Sequence, residues 1–271
     1  QHDILNKLNI HVLNPMQEEA IAAIESTTNT ILLSPTGTGK TLAFLLPIIK
    51  TLDPDSKEVQ ALIIVPSREL AIQIEQVVRS MGSGFKVNAV YGGRPMSKDK
   101  IEIKHVPAIL IGTPGRIADH FNNDRFSKKS IKALILDEFD KSLEDGFESE
   151  MRGIINQLPH INKRVLTSAT QSVKIPDFVR LDQPKTINYL QENVVSKLEV
   201  KTVLSTSKSK LPALLDLIEY LGNQNGIVFC NLRSSIDQVS GFLERNNINY
   251  SCFSGGMEQK DRERALIKFR N

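Results

Sequence analysis

The chain has 271 residues, 40% of them apolar and 24% charged, with 34 Lys and Arg against 31 Asp and Glu for a formal net charge of +3. This is an ordinary globular composition, and at about 150 residues per domain the length suggests two domains, the second small. No apolar run approaches the roughly 20 residues that span a bilayer. The opening QHDILNKLNI carries neither an initiator Met nor a secretory pattern, which predicts a trimmed N-terminus, a cytoplasmic protein and no membrane partner. The weak positive charge permits nucleic acid without arguing for it, so any phosphate-binding surface must come from local placement of Lys and Arg. Cys230 and Cys252 sit in the strand-like runs GIVFC and YSCF, without a CxxC pair or His cluster. They are expected to be buried, reduced thiols rather than metal ligands.

Taken in chain order, five apolar bursts stand out: TILL (30–33), ALIIV (61–65), AILIG (108–112), ALIL (133–136) and RVLTS (164–168). Short bursts without alternation predict strands buried on both faces, as in a parallel sheet. Between the first two, KTLAFLLPIIKTL predicts a helix kinked by Pro47. RELAIQIEQVVRSMG predicts a helix with Leu70, Ile74, Val77 and Met81 on one stripe, closed by Gly82. Such alternation implies right-handed crossovers and a doubly wound α/β sheet.

Around 184–196 the pattern loosens, which places a domain boundary there and divides the chain into 1–190 and 191–271. A strand is predicted at KLEVKTVL, with Leu198, Val200, Thr202 and Leu204 on one side. Helix KLPALLDLIEYL, strand GIVFC, helix SSIDQVSGFLERN, strand INYSCFS and helix MEQKDRERALIKF follow. So few strands are too little for an independent α/β domain, and the segment reads as the N-terminal part of one.

Each of the five bursts runs into a polar motif: SPTGTGKT, PSREL, TPGR, DEFD and SAT. Ligands of open parallel sheets bind outside the carboxyl ends of the strands, so these motifs are expected to converge on one edge. In SPTGTGKT, Gly37 and Gly39 let backbone N–H groups turn toward phosphate oxygens. Lys40 supplies a point charge for the phosphates and the Thr41 hydroxyl a ligand for Mg²⁺. Ser34 stands where a strict phosphate-loop pattern has its first glycine. The acids of DEFD could cap the next helix. With the phosphate loop upstream they read instead as a metal site, Asp137 holding Mg²⁺ and Glu138 taking a proton from, or orienting, the attacking water.

With these motifs in this order and spacing, the sequence resembles the DEAD-box family of ATP-dependent RNA helicases over nearly its whole length. SPTGTGKT resembles the family's A-x-T-G-x-G-K-T loop, DEFD its D-E-A-D box and PSREL its P-T-R-E-L, while TPGR and SAT match outright. Gly92–Gly93 resembles the paired glycines, LNPMQ the adenine-reading Q motif, IVFCN motif IV, and Gln259 with Arg262 the Q-x-x-R that follows.

The resemblance implies two RecA-like domains, the second represented by its N-terminal part, with ATP between them and RNA across both. It implies that Gln17 reads adenine, that Thr36, Gly37, Thr38, Gly39, Lys40 and Thr41 hold the phosphates and Mg²⁺, and that Asp137 and Glu138 place metal and water. Ser168 and Thr170 are expected to bond to the carboxylate box at Asp140, coupling hydrolysis to strand separation. Arg68, Gly93, Thr113 and Arg116, with Asn231, Arg233 and Arg262, are candidates for the RNA backbone. Phe139, where the family has Ala, is expected in apolar packing. The family's aromatic upstream of the Q motif would precede Gln1, and its later motifs, with a cross-cleft arginine, would follow Asn271. The 271-residue chain is therefore expected to bind nucleotide and hydrolyse it slowly. An ATP-gated RNA clamp without unwinding, and a DNA-directed helicase, are the competing readings.

Overall fold

The computed structural model describes residues 2–142, 147–170, 174–190, 199–205, 207–222 and 224–270. Two compact units divide the chain, Gln1–Glu192 and Asn193–Asn271.

The first unit comprises α1 (His2–Lys7), α2 (Pro15–Ser26), β1 (Asn29–Leu33), α3 (Lys40–Lys50), β2 (Ala61–Ile64), α4 (Arg68–Met81), β3 (Val87–Val90) and α5 (Met96–Ile103). It continues with β4 (Ile109–Gly112), α6 (Pro114–Asn122), β5 (Ala133–Leu136), α7 (Phe139–Ser142), α8 (Glu148–Asn156), β6 (Lys163–Ser168) and β7 (Lys185–Asn188). The seven strands form one sheet in the order β3-β4-β2-β5-β6-β1-β7, and every pair is parallel.

Side chains alternate across the sheet, and the core follows that alternation. Ala61 and Ile63, Ile109 and Ile111, and Ala133 and Ile135 pack with Phe44, Leu45, Ile48, Ile74, Val78 and Met81 of α3 and α4. Leu62 and Ile64, Leu110, and Leu134 and Leu136 pack with Ile117, Phe121, Met151 and Ile154 of α6 and α8. Both faces are covered, which is why the bursts lack a polar alternate. Phe139 lies in the second of these clusters and is buried.

The helix ends have local causes. Asn14 caps α2 by accepting from the Gln17 N–H at 2.9 Å, while Gln17 Oε1 accepts from the Asn14 N–H at 3.0 Å, a reciprocal box with Pro15 at the first turn. Ser67 caps α4 at the Leu70 N–H, and Gly82 ends it in the left-handed region at φ +54°. The buried stripe of α4 is Ala71, Ile74, Val78 and Met81; Leu70 and Val77 flank it, half-buried. α3 runs on through Pro47.

Two strands carry little sequence signal. β3 (VNAV) has Asn88 at its centre, and β7 (KTIN) buries only Ile187 because it is an edge strand beside β1. The loosened stretch at 184–196 thus begins with a strand.

The second unit contains α9 (Leu211–Leu221), α10 (Arg233–Arg245) and α11 (Gln259–Arg270). The strands predicted at 197–204, 226–230 and 248–254 do not form among its described residues, and Leu198 lies outside those residues. A strand is completed by a hydrogen-bonded neighbour; without one these runs stay unpaired, and Leu204 and Phe229 are 88% and 89% exposed. For the same reason Cys230 and Cys252 are free but half-buried, not buried as expected. Among the described residues no helix is long and apolar enough to cross a membrane.

Candidate functional site

The polar motifs begin where the sheet ladder runs one hydrogen bond beyond the strands. Ser34 N–H donates to the Ser168 carbonyl (3.0 Å), Asp137 N–H to Ile64 (3.0 Å), Val65 N–H to Gly112 (3.0 Å) and Thr113 N–H to Val90 (3.2 Å). These bonds line the motifs along one edge. SPTGTGKT, SAT and DEFD follow the adjacent strands β1, β6 and β5, while PSREL, TPGR and Gly92–Gly93 follow β2, β4 and β3.

In the first group, the loop crest is Thr36 and Gly37, both exposed, with Gly37 at φ +82° and Gly39 at φ +86°. Ser34 Oγ lies 2.8 Å from Thr38 Oγ1, which donates to the Pro35 carbonyl at 2.9 Å. Lys40 opens α3 and folds back: Nζ donates to the carbonyls of Ser34 (2.5 Å) and Pro35 (2.8 Å). Burial lowers its pKa against the opposing pull of Asp137, Glu138 and Asp140. Thr41 follows in the same first turn, half-buried. Gln17 packs on Gly39, where a Cβ would collide with Nε2, and it donates from Nε2 to the Gly39 carbonyl at 3.3 Å. Asn14 Nδ2 donates to the Thr38 carbonyl at 3.0 Å. The LNPMQ stretch therefore cradles the loop, with the Gln17 amide engaged at both ends.

Asp137 is buried, and its Oδ1 accepts from the Thr167 hydroxyl and from the Glu138 N–H (3.1 Å). Burial pushes its carboxyl above the usual carboxylate range, the neighbouring Glu138 charge adds to this, and the Thr167 bond and Lys40 oppose it. Glu138 sits at φ +50°, a left-handed conformation costing about 1–2 kcal/mol in a non-glycine residue. Its carboxylate pairs with Lys141 Nζ at 2.9 Å. Asp140 Oδ2 accepts from Thr170 Oγ1 at 3.0 Å, while its buried Oδ1 has no hydrogen-bond partner among the described residues. Ser168 was expected to bond to the carboxylate box as well. Its hydroxyl instead closes the SAT turn, 2.9 Å from both the carbonyl and the N–H of Thr170.

In the second group, Arg68 is the first residue of α4 and lies over Gly92–Gly93; a Cβ on Gly93, at φ +87°, would collide with its guanidinium. Thr113 stands at the N-cap position of α6, which starts at Pro114, and its side chain makes no capping bond among the described residues. Arg116 reaches back to the Gly92–Gly93 turn, Nε donating to the Tyr91 carbonyl at 3.2 Å.

In the second unit, Asn231 and Arg233 are exposed at the start of α10, and Arg233 lies against Gly256. Arg262 stacks over the Phe253 ring at 4.6 Å. Both arginines thus adjoin the 253–256 segment.

Thr167, Asn14 and the Asp99 cluster described below were not among the expected site residues. Thr167 had a signal: a hydroxyl inside a buried strand requires a partner.

The sequence matches the family profile described as DEAD/DEAH box helicase over residues 14–178, and that of the helicase conserved C-terminal domain over 209–271. It is 32% identical over 262 residues to the DEAD-box ATP-dependent RNA helicase RhpA of Helicobacter pylori, covering 95% of this chain and 53% of RhpA. It is 31% identical over 268 residues to the ATP-dependent RNA helicase FAL1 of Mycosarcoma maydis, covering 97% of this chain and 68% of FAL1. The chain spans about half the length of RhpA. The structure of S. cerevisiae Dbp5 bound to RNA and ADP BeF3 superposes with a TM-score of 0.81 at 24% identity, covering all of this chain and 71% of that one, and shares the fold. On the extent of the first profile and the match to FAL1, the chain belongs to the DEAD/DEAH box helicase family.

Proposed function

We propose that the chain is the nucleotide- and RNA-binding portion of an ATP-dependent RNA helicase or remodeller acting in the cytoplasm, its domains being 1–190 and 191–271. The carrying observation is the convergence of Lys40, Thr41, Asp137, Glu138, Asp140 and Thr170 on the ends of three adjacent strands.

These residues fit Mg²⁺·ATP. Lys40 rests on two neutral carbonyls that phosphate oxygens can replace, and Asp137 carries a burial cost that a divalent cation offsets. Mg²⁺·ATP would supply the reactive γ-phosphoryl group and that compensating charge. Thr36 to Thr41 bind the phosphates, Thr41 and Asp137 hold the cation, and Gln17 contacts the base. Glu138 orients the attacking water and accepts its proton. Thr170 and Asp140 link the site to movements that separate strands. RNA is held by its phosphates and sugars, through Arg68, Gly93 and Thr113 in the first unit and Asn231, Arg233 and Arg262 in the second, so binding is largely independent of sequence.

The Lys141–Glu138 ion pair favours the second reading, an ATP-gated clamp, since it occupies the candidate base. Both partners reach solvent, and such pairs are worth about 0–1 kcal/mol, too little to withhold Glu138 from water. The deciding experiment measures ATP hydrolysis by the full-length protein with RNA, with DNA and alone. RNA-stimulated turnover supports the helicase; nucleotide-dependent RNA binding without turnover supports the clamp; equal stimulation by DNA removes the RNA preference.

A further inference from the structure

Arg116 closes the TPGR motif, yet its side chain is already occupied. Nε lies 2.9 Å from Asp99 Oδ2 and donates to the Tyr91 carbonyl, and Nη2 donates to the Arg94 carbonyl. Those two carbonyls flank the Gly92–Gly93 turn. Asp99, on α5, has no exposed side-chain surface, and it gathers two further donors. Arg94 Nε meets Oδ1 at 2.5 Å, and Nε2 of the fully buried His120 meets Oδ2 at 3.1 Å. His120 Nδ1 faces Arg125 Nη1 at 3.4 Å. A guanidinium only donates, so Nδ1 accepts and Nε2 carries the hydrogen given to Asp99.

Arg94 also pairs with Glu102 at 2.6 Å. Arg94 and Arg116 are thus matched by Asp99 and Glu102, while Arg125 meets the cluster through His120. Burial alone would raise the Asp99 carboxyl; the His120 bond, Arg94 and Arg116 outweigh it and hold the group below the ordinary carboxylate range.

We propose that Asp99 is a positioning residue for the nucleic-acid edge. It holds Arg116 and Arg94 as a clamp on the Gly92–Gly93 turn, and phosphate contact here falls to the turn's N–H groups and to Arg68 rather than to Arg116. The inference rests on the RNA reading above and revises the role expected for Arg116. Gly93, at positive φ, gives the turn a shape in which successive N–H groups can face one anion.

The test is binding of an unstructured RNA oligonucleotide to the intact protein across a range of KCl. Arg116→Gln and Asp99→Asn are each expected to weaken binding about five- to tenfold, a coupling of the size that residues outside a ligand contact can exert. Their log–log salt slope stays at the wild-type value, whereas Arg68→Gln lowers it by about one, as for a lost phosphate contact. The Asp99→Asn/Arg116→Gln double variant binds no worse than either single one. Overturning results are a slope lowered by about one for Arg116→Gln, additive losses, or wild-type binding by Asp99→Asn. Hydrogen exchange of the Gly92–Arg94 amides without RNA is expected to quicken in both variants, and unchanged protection overturns the clamp. If the unaltered protein fails to bind RNA, the functional reading falls by itself and hydrogen exchange decides the clamp.

Discussion

Two stretches of the sheet's carboxyl edge treat their cations differently. At β1, Lys40 is held by two neutral carbonyls, with carboxylates nearby but none bonded to it among the described residues. At β3 and β4, Arg94 and Arg116 are locked to Asp99 and Glu102. A carbonyl yields its donor to an incoming anion at little cost, because the lysine exchanges one set of oxygens for another. A buried carboxylate does not, since releasing its partner leaves an uncompensated charge. The first arrangement suits a ligand that comes and goes, the second a surface that must keep its shape.

The largest effect tests the exchangeable end. Glu138→Gln is expected to lower ATP turnover by about 10²–10⁴-fold while leaving nucleotide binding intact, read by steady-state hydrolysis beside fluorescent-nucleotide titration. Equal loss of binding would remove Glu138 from the role of base. Next, Asp99→Ala leaves two partly buried guanidinium groups and the buried His120 short of a partner, and is expected to cost about 3 kcal/mol in urea unfolding. Because the folded Asp99 has the lower pKa, its contribution is full above its unfolded value of about 4 and fades as pH falls through the folded one. The stability gap between wild type and Asp99→Asn should therefore narrow in acid, and a gap that widens would contradict the clamp.

Lys40→Ala is expected to reduce nucleotide affinity by at least about thirtyfold, or ~2 kcal/mol, with thermal stability nearly unchanged. A large fall in melting temperature would mean that Lys40 is as structural as the arginines, and the contrast would collapse. Smallest is Thr167→Val, which removes the hydroxyl on Asp137 Oδ1 and keeps the shape. It is expected to cost about 0.5–1.5 kcal/mol, with a raised Mg²⁺ requirement in the hydrolysis assay.

Much of the sheet was legible because strands buried on both faces write themselves as unbroken apolar bursts. The same signal misled in the second unit: GIVFC has the composition of a strand, but composition does not supply the neighbour that makes one. β7 was hidden for the opposite reason, since an edge strand needs few apolar residues. In the site, glycines and Lys40 announced themselves by spacing. Arg116 was legible as a motif residue but not in its bonding, because Asp99 lies in a different helix with no sequence mark linking the two. Ser168 likewise bonds within its own turn, a choice that depends on backbone geometry rather than residue type.

β1 has as its neighbours β6 and β7, the last strands of the unit in sequence. The phosphate loop therefore leaves the ribosome long before the strands that flank it, and Ser34 cannot meet the Ser168 carbonyl until that residue has been made. Pairings so distant along the chain are slow to close and leave apolar strands exposed meanwhile. The first of the five strand-end motifs in the sequence thus waits on the last strands of the unit for its neighbours in the sheet.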